Sequence, residues 1–79
     1  SSLQIEAANE VLVDMFGPNI AEGAQAMYIK ENAVTVACMH APIAQELKLR
    51  EKEFVERLKK KRYAESGIDR VGYLLDEAL

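Results

Sequence analysis

Apolar residues recur with a helical period from the first positions of the chain. Leu3, Ala7, Ala8, Val11, Leu12, Met15 and Phe16 share one face of a helix over "SSLQIEAANEVLVDMF". Ser1 followed by Gln4 has the form of a capping box, in which a hydroxyl and an amide satisfy free backbone N–H groups. Gly17-Pro18 stops this helix, because Pro18 cannot donate and Gly17 tolerates the turn. "NIAEG" leads out as a second short turn or helix.

The period then changes to two. In "AMYIKENAVTVACM" a turn at Glu31-Asn32 sets Ile29 opposite Val34 and Met27 opposite Val36, with Cys38 continuing that apolar side. Tyr28 and Thr35 take the other side. Asn32 suits the turn, since Asn accepts the positive φ it demands. A helical period returns over "HAPIAQELKLREKEFVERLKKKRYAES", which predicts one long helix with Pro42 in its first turn and Gly67 at its end. Ile43, Leu47, Phe54 and Leu58 form its apolar stripe, widened by Ala44 and Val55. "IDRVGYLL" predicts a third strand, with Val71, Tyr73 and Leu75 alternating around Gly72. The order α-β-β-α-β predicts an α+β domain: a three-stranded sheet with helices packed on one face.

Length changes this picture little. Seventy-nine residues make a single domain, 1–79, with a thin core. Hydrophobic residues are 49% and charged residues 29%, a globular balance. Cys38 is the one cysteine, which excludes an internal disulfide and fits a reducing compartment. No apolar run reaches the roughly 18 residues of a membrane span, and "SSLQIEAANE" is no signal peptide. A cytoplasmic location is expected. The missing initiator Met and the abrupt apolar end read as a piece of something longer.

Charge changes it more. The net charge of −3 hides an uneven distribution. Residues 1–39 carry five acids and one base (−4), residues 40–62 four acids and eight bases (+4), and residues 63–79 four acids and one base (−3). Within the basic third, Glu46–Arg50, Glu53–Arg57 and Glu56–Lys60 are i,i+4 pairs that account for three cations by helix stability. Lys48, Lys52 and Lys59 are different: on a continuous helix they share one flank of the apolar stripe. Lys61 and Arg62 continue past the pairs, where fraying or overhang would place both in solvent. One reading is a solvated helix face whose last cations complement the C-terminal dipole. The other is a stripe that tracks phosphates: Lys48, Lys52, Lys59, Lys60, Lys61 and Arg62, binding with strong salt dependence and little sequence preference. Tyr28 and Tyr73 could add stacking surface, but read first as half-buried strand residues.

Catalytic chemistry finds no support. His40, the lone histidine, precedes the long helix and suits a cap or surface role. Cys38 reads as a small core residue, and Cys38 with His40 supplies only two of the ligands a structural zinc site needs. "GPNIAEG" lacks the Lys-Ser/Thr and the preceding strand of a phosphate-cradling loop. Neither enzyme activity, nor a metal, nor a cofactor is expected.

The run "DMFGPNIAEGAQAMYIKENAVTVACMHAPIAQELKLREKEFVERL" resembles the DciA-like family, bacterial proteins linked to loading of the replicative helicase. Met15-Phe16-Gly17 and Ile20-Ala21 match its first part, Ile29, Val34 and Val36 its hairpin, Ala44-Gln45-Glu46-Leu47 its helix start, and Ile68, Val71 and Tyr73 its last strand. Leu12 stands where the family often has Trp, Ala26 where it often has Pro, and Asn32 where it often has Gly. The resemblance implies a KH-like α-β-β-α-β domain without the Gly-x-x-Gly clamp of ordinary KH domains, because Gly17 and Gly23 are six apart. Any nucleic-acid contact would then use the cationic flank. The expectation is a non-enzymatic adaptor in replication initiation that binds DNA weakly and docks the replicative helicase. The alternative is a protein-interaction or homo-oligomerisation module using the apolar tail "GYLLDEAL". A KH-like RNA binder comes third.

Overall fold

A computed structural model describes residues 3–61 and 67–77, without the side chains of Ile20 and Ala21. The elements follow as α1 (Leu3–Ala21), β1 (Ala24–Lys30), β2 (Ala33–Cys38), α2 (Ala41–Leu49), α3 (Glu51–Lys59) and β3 (Arg70–Leu75). The α+β class is as predicted, and the long helix is in fact two. In the sheet, β2 lies between an antiparallel β1 and a parallel β3. A parallel pair needs a crossover, and α2 with α3 supply it.

α1 breaks where its sequence predicts. Gly17 leaves the helical region at φ 83°, ψ 163°, and Pro18 follows. Ala7, Ala8, Val11 and Leu12 are buried, with Met15 and Phe16 packed against them. Leu3, at the helix start, is exposed instead. The capping box expected of Ser1 and Gln4 rests on Ser1, outside the described residues.

The hairpin register agrees at Ile29↔Val34 and Tyr28↔Thr35. Met27, expected opposite Val36, is displaced by Ala26 because the register shifts between Ala26 and Tyr28. Met27 is the extra residue of a β-bulge and is exposed. Ala26 is anchored on the other side of this shift: it is buried, and its N–H donates to Asn9 Oδ1 at 2.9 Å. The positive φ of the turn falls on Glu31 (58°), one residue before the Asn32 expected to carry it. Asn32 contributes its backbone carbonyl, which accepts the Asp69 N–H at 2.9 Å.

One sheet face carries the core. Ala24, Ala26, Val34, Val36 and Cys38 pack against the buried residues of α1 and against Leu47, Phe54, Val55 and Leu58 of α2 and α3. Cys38 is fully buried, and burial pushes its thiol pKa up. His40 occupies the N-cap position of α2 with an extended backbone, and its side chain makes no capping bond.

Between α2 and α3 the chain departs from helix at Arg50 (φ −116°, ψ 21°). The Arg50 guanidinium reaches back to α1. Nη1 donates to the Met15 carbonyl at 3.2 Å, in the turn that Gly17 ends. The guanidinium carbon lies 4.9 Å from the centroid of the Phe16 ring, and Nη2 bonds Glu53 at 3.0 Å. Glu51, the first residue of α3, seals the rim of β3: its carboxylate accepts the Val71 N–H at 3.2 Å and the Tyr73 hydroxyl at 2.9 Å. An edge strand otherwise offers such N–H groups to other chains.

Candidate nucleic-acid interface

Lys48 lies near the end of α2, whereas Lys52 and Lys59 lie on α3, two turns apart. On one continuous helix the three would share a flank, and the break at Arg50 ends that continuity. The three are nevertheless brought together. Lys48, Lys52 and Lys59 border one shallow depression beside β3, with Val55 in its floor. All three are exposed.

Their partners decide whether the cations are available. Among the described residues, no carboxylate oxygen lies within 4 Å of the ammonium of Lys48, Lys52, Lys59 or Lys60. Lys48 Nζ instead sits over the Tyr73 ring, 5.5 Å from its centroid, which leaves its charge intact. The depression is not purely basic, since Glu51, Glu56 and Asp69 also line it. Glu51 is held by the β3 rim. Glu56 and Asp69 sit among the lysines and lower the local positive potential.

The remaining expected cations separate from this group. α3 ends at Lys59 with Lys60 as its C-cap, and among the described residues the expected Glu56–Lys60 pair is not within 4 Å. Lys61 does not project into solvent as expected. It turns toward α1 and bonds Glu10 at 3.2 Å and Asp14 at 3.5 Å. The hydrogen bond that Lys61 donates to Glu10, then the charges of Glu10 and Asp14, hold the Lys61 pKa above its ordinary value. Those acids stand one turn apart on α1, a spacing visible in the sequence, but their meeting with Lys61 is a contact across 51 residues that no local pattern signals. Arg62 lies outside the described residues.

The other helix pairs also sort themselves. Glu53 takes Arg57 at 2.9 Å, as expected. Arg50 pairs with Glu53 at 3.0 Å rather than with Glu46, because the break turns it away from α2. The hydrogen bond from Arg50 is the main cause that holds the Glu53 carboxyl below the usual carboxylate range.

The tyrosines divide as well. Tyr73 is half-buried, and burial followed by its bond to Glu51 pushes the phenol pKa well up. Tyr28, expected to be a half-buried strand residue, is 51% exposed and the more open of the two. Among the described residues no group of three His, Cys, Asp or Glu side chains is placed to hold a metal ion. No helix of the described residues is long and apolar enough to cross a membrane.

No curated protein matches the chain. A family model described as Dna[CI] antecedent, DciA, matches residues 1–71. That span takes in α1, the hairpin, both crossover helices and the start of β3, so the chain belongs to the DciA family.

Proposed function

We propose that this domain is a non-enzymatic adaptor that holds DNA weakly through the Lys48, Lys52 and Lys59 flank while docking the replicative helicase. Membership of the DciA family implies a role in helicase loading during replication. The observation that carries the DNA half is the convergence of three lysines without ion pairs on one depression. Lys60 extends the flank, and Arg62 follows it in sequence. Lys61 is committed to Glu10 and Asp14 and contributes least. Nothing in the flank reads base edges, so binding is insensitive to sequence and follows counterion release.

Three phosphate contacts correspond to a slope of about −2 to −3 in log K against log salt, or an affinity loss of about 20- to 40-fold between about 50 and 200 mM salt. Fluorescence anisotropy with labelled single-stranded and duplex DNA measures this. Changing Lys48, Lys52 and Lys59 together to Gln should flatten the slope by about 2 to 3 units. An unchanged slope and affinity remove the flank from consideration. Pull-down with the cognate replicative helicase tests the docking half.

The exposure of Leu74 and Leu75 at the end of β3 favours a second reading, a protein-interaction module without a nucleic-acid role. Light scattering separates the two: a stable dimer that ignores DNA at low salt supports the second.

A further inference from the structure

The helices cover one face of the sheet and leave the other without a layer among the described residues. The register identifies what that open face presents. Three cross-strand rows run over it: Lys30, Ala33 and Arg70; then Tyr28, Thr35 and Gly72; then Gln25, Ala37 and Leu74. Ala37 is fully buried between its neighbours, and none of the other eight belongs to the hydrophobic core. Their chemistry is selective. The middle row holds one exposed aromatic ring beside a floor of small residues. Gly72 has no side chain, and the nearest side-chain atom to a Cβ there is Thr35 Oγ1 at 3.4 Å, so the surface next to Tyr28 stays low. The first row holds two exposed cations. No carboxylate stands in any of the three rows, although the chain as a whole has thirteen acids and ten bases.

We infer that this open sheet face, with Tyr28 at its centre and Lys30 and Arg70 at one end, binds an unpaired nucleic-acid segment by stacking a base on Tyr28. The ring offers a π-face to any base, and Lys30 and Arg70 stand one row away to meet phosphates. Arg70 is only loosely engaged, by an exposed pair with Asp69 at 3.3 Å. A second copy of the chain fits this face poorly. The large exposed apolar side chains at the face and its bulge are Tyr28, Leu74 and Met27. Together they expose on the order of 300 Å², short of the roughly 450 Å² of apolar surface that each partner contributes to a stable interface, and Lys30 and Arg70 would meet their own copies' like charges. Duplex DNA hides its base faces and gains nothing from the ring.

This inference rests on the reading of the domain as a nucleic-acid binder, but uses a surface separate from the lysine flank. The test measures affinity for an oligothymidine single strand and for a duplex of equal length, with four variants. Tyr28→Leu keeps apolar bulk and removes the ring; it should lose about tenfold for the single strand and nothing for the duplex. Tyr28→Phe should retain wild-type affinity for both. Gly72→Val raises the floor beside the ring and should lose single-strand affinity with Tyr28 still in place. The Lys48, Lys52 and Lys59 to Gln triple variant should weaken both ligands. Quenching of tyrosine fluorescence by the oligonucleotide should fall sharply in Tyr28→Leu. If Tyr28→Leu binds the single strand as wild type does, the sheet face is not the site, while the flank reading stands or falls on the triple variant. If wild type binds neither ligand at low salt, both readings fail. A dimer that Tyr28→Leu dissolves would assign the face to self-association and overturn the inference.

Discussion

Replacing Arg50 with alanine removes the Met15 carbonyl bond, the Phe16 ring contact and the Glu53 pair together. A hydrogen bond from a charged donor contributes about 1.5–3 kcal/mol, and a cation over an aromatic ring about 0.5–1 kcal/mol where solvent reaches it. The Glu53 pair adds little, because both side chains are over a third exposed and Glu53 keeps Arg57. The Arg50 side chain is 37% exposed, which discounts every contribution. The expected loss is about 1.5–2.5 kcal/mol, a large share of the roughly 4–12 kcal/mol available to a domain of this size. Urea denaturation followed by circular dichroism reads it directly. With a slope near 1 kcal/mol per molar, the midpoint should fall by about 2 M. Arg50→Lys keeps the charge without the planar fork and should fall between, while Arg57→Ala, which touches only Glu53, should move the midpoint by less than about 0.5 M. Should Arg50→Ala and Arg57→Ala prove equally mild, Arg50 does not pin α1 to the crossover helices, and the break at residue 50 needs another cause.

Phe54→Ala empties a core position that is 1% exposed and should cost about 3–5 kcal/mol, leaving a chain that melts near ambient temperature in calorimetry. Glu31→Gly relieves a left-handed residue at φ 58° and should raise stability by about 0.5–1 kcal/mol in the same denaturation assay. Tyr73 has a raised folded pKa, so its contribution is full below the ordinary tyrosine value and is lost as pH climbs through the folded value. In ultraviolet titration, Tyr73→Phe should therefore delete an ionisation step that lies above the ordinary tyrosine range. Glu53 runs the opposite way: its folded pKa is depressed, so its contribution is present above the ordinary carboxylate value and is lost as pH falls through the folded one. Acid unfolding of Arg50→Ala should accordingly begin less steeply than that of wild type.

The parts of the fold that the sequence made legible are those set by local rules. Gly17-Pro18 ends a helix by backbone chemistry alone, and the alternation from Ile29 to Cys38 sets the hairpin face. The parts that escaped are set by tertiary contacts. Residues 47–53 contain no Pro or Gly, and their apolar spacing is that of one helix; the break at Arg50 goes with a guanidinium that reaches α1. The bulge at Met27 likewise accompanies the Asn9 bond to Ala26, a contact between residues seventeen apart. For the candidate site, the grouping of Lys48, Lys52 and Lys59 was legible although its geometry was not. The capture of Lys61 depended on which flank of α1 lies nearby, and the exposure of Tyr28 depended on which sheet face the helices leave open.

The position of β2 between an adjacent hairpin partner and a distant parallel one orders the assembly of the sheet. β1 and β2 are joined by a two-residue turn and can close as a unit, whereas Arg70 meets Ala33 only after the whole crossover has been placed. Local pairing is the quicker step and parallel pairing the slower. A chain emerging from the ribosome therefore carries its central strand with one flank bare until residue 70 has been made, and for that interval the strand best suited to recruit a stranger is the one that ends up most enclosed.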